Sequence, residues 1–161
     1  MRTFEPFCIF VTNVNLSWGG DRAWGVPLIV LTVLIHVLGL GLMRRHTLNA
    51  SSRVIRRHPN TVFVGVIGLT TLLVTSLHAI EAGIWAAAYR WLRALPDNKS
   101  AMLYSLNAMT SYGHINLRLD DHWHLLGAME ALNGWLLCGL STAFLLAAIE
   151  RVAMDGRRPI N

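Results

Sequence analysis

The sequence predicts an all-α membrane protein with three transmembrane helices and a re-entrant helix and loop between the second and third. Two apolar runs, Gly25 to Met43 and Thr61 to Leu77, contain no Asp, Glu, Lys or Arg, and a third, His124 to Ile149, contains only Glu130. At about 1.5 Å of rise per residue, each is close to the length that crosses a roughly 30 Å hydrocarbon layer. Between the second and third runs, a short helical stretch from Lys99 leads into the polar strip Thr110-Ser111-Tyr112-Gly113-His114-Ile115-Asn116. Charge placement is the remaining sign: Arg44, Arg45, Arg53, Arg56 and Arg57 form a connector without an acid, and Arg151, Arg157 and Arg158 follow the third run.

The net charge of +5 therefore reads as topology, and no nucleic-acid partner is expected. By the positive-inside bias the connector and the C-terminus lie in the cytoplasm, and the N-terminus lies outside a plasma or inner membrane crossed several times. Residues 1–24 read as an outer N-terminal segment. Glu5 interrupts its start and no small-residue cleavage site follows Phe7 to Val11, so an interfacial segment is expected over a signal peptide. Residues 25–161 then form a single membrane domain with spans at about 25–43, 61–82 and 124–149. Cys8 and Cys138 fall in different environments, so no disulfide framework is implied.

His58-Pro59-Asn60 punctuates the start of the second helix, where proline is tolerated because its missing N–H has no intrahelical partner. Beyond the hydrocarbon that helix is expected to continue to about Leu95. Trp85, Tyr89 and Trp91 are then placed at the outer interface beside Arg90 and Arg93. Pro96-Asp97 ends it, and Asp97, Asn98 or Ser100 can cap the next helix. From Ala101 to about Thr110 that helix has about ten residues, roughly 15 Å, so it can enter the membrane by only half its thickness. Its unsatisfied C-terminal carbonyls would face the membrane centre and favour a cation there. Non-helical backbone at that depth survives only where protein buries it or a watery cavity solvates it, which makes the strip a candidate ion pathway.

At these residues the chain resembles the tetrameric cation channels of the potassium-channel type, and in particular the small bacterial pore proteins without a voltage sensor. The resemblance covers roughly Leu77 to Glu150. Beyond the strip it rests on His78 and Glu81, Trp85-Ala86, Leu103-Tyr104-Ser105, the run Trp123 to Glu130, and Asn133-Gly134. It implies a homotetramer, a pore helix and filter at about 99–116, and a monovalent cation, potassium, as the transported ion, with no bound cofactor. Aligned without gaps, Thr110 and Ser111 take the places of the family's paired threonines, Tyr112 the variable position and Gly113 the first glycine. His114 replaces the tyrosine, Ile115 the second glycine and Asn116 the aspartate. Filter carbonyls stand in for the ion's hydration shell, and the backbone angles that align them suit glycine and not a β-branched residue. Ile115 is therefore expected to distort the outer coordination site and Asn116 to remove a negative charge near the mouth. A partly protonated His114 would add positive charge there. Weak selectivity, acid inhibition or a non-conducting role all fit these replacements.

Several residues have two readings. His78 and Glu81, one helical turn apart, form either a functional ionisable pair or a brace behind the pore helix, and the brace is preferred. Glu130 either concentrates cations at the mouth or braces the filter, and again the brace is preferred. Gly134 is the candidate gating hinge, with plain helix packing as its alternative. The histidines raise the question of haem or metal. Counted from the ends of their spans, His36 and His78 come out more than about 15 Å apart along the membrane normal, so no shared haem and no metal site is expected. His122 and His124 do not share a helix face. No convergent nucleophile or cofactor motif appears, so an enzyme is not expected. The arginine-rich connector can bind anionic lipid. The expected function is passive cation conduction, and the alternative is a non-conducting channel-like accessory or scaffold protein.

Overall fold

The computed structural model describes residues 5–47, 59–113, 117–120 and 123–157. Among them the chain forms four α-helices: α1 Glu5–Thr47, α2 Pro59–Trp91, α3 Asn98–Met109 and α4 His124–Arg157. Helices α1, α2 and α4 contain stretches long and apolar enough to cross a membrane, at Ala23–Arg45, Phe63–Trp91 and His124–Met154. By length and composition these three helices suit a multi-pass membrane protein. The stretch in α2 extends well beyond the expected limit near residue 82. Helix α1 runs without a break from Glu5 through the boundary expected at residue 24, with Pro27 inside it. His114, Ile115, Asn116, Asp121, His122, Arg53, Arg56, Arg57 and Arg158 lie outside the described residues.

The chain divides into two compact units, Met1–Thr32 with Ala82–Trp135 and Val33–Glu81 with Leu136–Asn161. The first contains α3. Its core is built from Trp85, Ala86 and Tyr89 of α2, Ala101, Tyr104 and Ala108 of α3, and Leu126 of α4, closed by Ala94, Leu95 and Leu119. The spacing of Trp85, Ala86 and Tyr89 puts one stripe of α2 into this core. Trp85 and Tyr89 are fully buried, so they are not the interfacial aromatics expected from their position beside the arginines. Trp91 alone of the three is exposed, at 79 %. The physical reason is that α3 packs on the face that carries Trp85 and Tyr89, leaving Trp91 on the other side.

In the second unit, Leu40, Val74 and Leu77 form the buried apolar cluster, with Ile35, Met43 and Phe144 against it. Gly39 permits this approach: a Cβ there would lie 2.8 Å from Leu77 Cδ2. Three threonine hydroxyls of α2 are satisfied within the helix, Thr70 donating to the Val66 carbonyl at 2.7 Å, Thr71 to Ile67 at 2.9 Å and Thr75 to Thr71 at 3.0 Å. Such back-bonding lets polar side chains sit in an apolar span at little cost.

Both ends of the α2–α3 connection are fixed by capping. Helix α2 closes with Arg93 at φ 55°, the Ala94 N–H donating to the Tyr89 carbonyl and the Arg93 N–H to Arg90. This is the Schellman arrangement, built without the usual glycine. Arg90 spans the turn, donating through Nη1 to the Leu95 carbonyl at 2.7 Å and through Nε to Asn98 Oδ1 at 2.9 Å. Asp97 then caps α3: its carboxylate accepts from the Ser100 N–H at 2.9 Å and from the Ser100 hydroxyl at 2.7 Å. Those two hydrogen bonds hold the Asp97 carboxyl below its ordinary pKa, with the backbone bond the larger cause.

Candidate functional site

The site expected from the sequence begins with α3, whose 12 residues are too few to cross a membrane. What fixes α3 is Glu130, a fully buried carboxylate on α4. It accepts from the Tyr89 hydroxyl of α2 at 2.5 Å and from the Ser105 hydroxyl of α3. Ser105 Oγ is also 2.8 Å from the Ala82 carbonyl oxygen. A single side chain thereby ties three helices together, and both hydroxyl partners are themselves buried. The partners of Glu130 are side chains of α2 and α3, not the filter backbone N–H expected of a brace.

Close approach completes the fit. A Cβ at Gly127 would run into the Tyr104 hydroxyl, and one at Gly134 would meet the Met109 carbonyl oxygen, with the Met109 Cα at 2.7 Å. Gly134, expected as a hinge, is thus where the backbone of α3 touches α4. Its neighbour Asn133 is buried and donates through Nδ2 to Thr32 Oγ1 at 2.9 Å. A methyl group added at Gly139 would meet nothing within 4 Å.

The strip after α3 opens with a second Schellman turn. The Ser111 N–H donates to the Ala108 carbonyl and the Tyr112 N–H to the Asn107 carbonyl, both at 3.0 Å. Ser111 takes φ 53° and Gly113 φ 92°. The Thr110 N–H and hydroxyl both reach the Leu106 carbonyl, at 3.1 and 2.7 Å. The carbonyls of Leu106, Asn107 and Ala108 are therefore occupied, unlike the open helix end expected from the sequence. Ser111 is further held by Trp135, whose Nε1 donates to its Oγ at 2.9 Å. Tyr112 is 80 % exposed. An open groove of about 270 Å³ runs past Tyr104, Ala108, Ser111, Gly113 and Ala131.

His78 and Glu81 belong to the other unit. Glu81 is fully buried and its Oε1 lies 2.8 Å from His36 Nδ1. His78 Nδ1 lies 3.4 Å from Glu81 Oε2, and the His36 and His78 rings are 5.0 Å apart between centroids. The expectation that these histidines stand far apart is overturned. Span ends placed too early in α2 made His78 look close to the outer surface. With the apolar stretch of α2 running to Trp91, His78 falls near its middle, as His36 does in the stretch of α1. Ser141 of α4 joins them, its Oγ 3.0 Å from both His36 Nε2 and His78 Nε2. This four-residue cluster is what sequence reasoning missed. The signal that could have found it is the coincidence of mid-span ionisable residues on two apolar helices, which are costly unless they meet.

Comparison with protein-family models, with curated proteins and with solved structures finds no match.

Proposed function

We propose that this chain is a passive cation channel of the potassium-channel type, in which copies of the chain, four by the resemblance, enclose a non-standard filter at Thr110 to Asn116. In this reading α3 is a re-entrant pore helix, the strip after it climbs back to the outer face, and α4 lines the inner cavity. The N-terminus is outside and the C-terminus cytoplasmic. The observation that carries the reading is the Glu130 clamp: a buried carboxylate in an apolar span is expensive, and here it fixes a helix too short to cross the membrane. The close contacts at Gly127 and Gly134 support the same role, since a pore helix must be held against the inner helix without slack. The exposed apolar side chains Leu132, Trp135 and Leu136 of α4 provide surface for lipid or for neighbouring copies. Exposed Arg44 and Arg45 suit contact with anionic headgroups.

The non-conducting reading has one observation in its favour. The Tyr112 N–H returns to the Asn107 carbonyl, which curls the chain where an extended run of carbonyls would serve an ion. Flux from proteoliposomes under potassium and sodium gradients separates the two. Conduction predicts flux that Gly113→Ala abolishes, because the left-handed backbone at Gly113 (φ 92°) is strained for alanine. A well-folded oligomer without flux supports the accessory reading.

A further inference from the structure

We infer that His36, His78 and Glu81 form a binding site for one divalent transition-metal ion, oriented from behind by Ser141. Such a site is independent of conduction. It shares with the channel reading only the pair His78 and Glu81, which that reading assigns to support.

Counting hydrogens around a closed ring of side chains exposes a gap. The ring has four links: His36 to Glu81, Glu81 to His78, His78 to Ser141 and Ser141 to His36. With Glu81 ionised, two neutral imidazoles supply one N–H each and the serine one O–H, so three hydrogens serve four links. Distances assign them. His36 Nδ1–H donates to Glu81 Oε1 at 2.8 Å, so His36 Nε2 accepts from the Ser141 hydroxyl, and Ser141 Oγ in turn accepts from His78 Nε2–H. His78 Nδ1 is then left without a hydrogen beside Glu81 Oε2. That is the longest link, 3.4 Å, and Glu81 Oε2 is buried with no hydrogen-bond partner. An acceptor pair with one member fully buried is reconciled either by a fourth proton on the ring or by a metal ion between the two atoms.

The spacing and donor set fit a metal. Donors about 2.0–2.1 Å from a tetrahedral zinc stand about 3.3 Å apart, against 3.4 Å between His78 Nδ1 and Glu81 Oε2 and 2.8 Å between His36 Nδ1 and Glu81 Oε1. The ligand atoms of all three residues lie within 4.8 Å of one another. Two imidazoles and one carboxylate are a borderline donor set that suits zinc or ferrous iron over calcium or magnesium. When both Nδ1 atoms face the ion, each histidine carries its hydrogen on Nε2, and both N–H groups point at Ser141 Oγ, whose two lone pairs can accept them. This is the outer partner that metal-binding histidines require. His78 is the partly exposed member of the three, at 29 %.

The test is zinc binding by the purified full-length chain in detergent, by elemental analysis after a chelator wash and by titration against a chromophoric chelator. One zinc per chain is expected. His78→Gln and His36→Gln should lose it, Ser141→Ala should weaken it by about 10- to 100-fold, and His124→Gln should leave it unchanged. Wild-type protein of native helical content that takes up no zinc overturns the inference, as does zinc retained by both histidine variants. Should His36→Gln fail to fold, the wild-type measurement and the partly exposed His78 still decide.

Discussion

Gly134 and Gly139 sit one helical turn and a residue apart in the same apolar run, yet a methyl group would meet different surroundings at each. At Gly134 it meets the backbone of Met109, with the Cα at 2.7 Å, whereas at Gly139 it meets nothing within 4 Å. Backbone cannot swing aside as a side chain can, so Gly134→Ala should cost about 2 kcal/mol through overpacking. Gly139→Ala should be neutral or stabilising by up to about 1 kcal/mol, since alanine favours the helix. Thermal unfolding of both variants in detergent checks this. Equal effects would mean that α3 does not rest on α4 at Gly134. The sequence shows both glycines, but only the packing partner distinguishes a contact from open space.

At the scale of elements, α3 depends on its N-terminal cap. Ser100 holds the Asp97 carboxyl below its ordinary pKa, so the ionised form is the one that stabilises the helix start. The sign follows: this contribution is present above the unfolded pKa and is lost as pH falls through the lower folded value. Wild type should therefore exceed Asp97→Asn in stability at neutral pH, with the difference closing only in strong acid, as unfolding curves at stepped pH would show. An unchanged difference across the acid range would remove Asp97 from the cap. This helix start was legible in the sequence, because Pro96-Asp97 followed by Ser100 is a capping pattern that acts locally. The burial of Trp85 and Tyr89 was not, because which face of α2 turns inward depends on where α3 packs. The turn after Thr110 was hidden for another reason: Ser111 takes the left-handed position that usually announces itself with glycine.

For the whole molecule, the three apolar helices were legible because uninterrupted apolar runs are a long and unambiguous signal. The meeting of His36, His78, Glu81 and Ser141 was not, since depth counted from the ends of spans inherits every error in those ends. The apolar stretch of α2 runs from Phe63 to Trp91, past the expected span end near residue 82, and this puts His78 at mid-span. A cation channel of the proposed kind requires the strip after α3 to lie along the ion path. The most direct test is recording in planar bilayers from Tyr112→Cys, with Cys8 and Cys138 replaced by serine, before and after a positively charged thiol reagent. Tyr112 is 80 % exposed, so it is open to modification. Conduction through the strip predicts current that the reagent reduces by more than about half, because a fixed positive charge beside the path repels cations. Current that persists unchanged in fully labelled protein, or no current from an intact oligomer, would contradict a pore at this place.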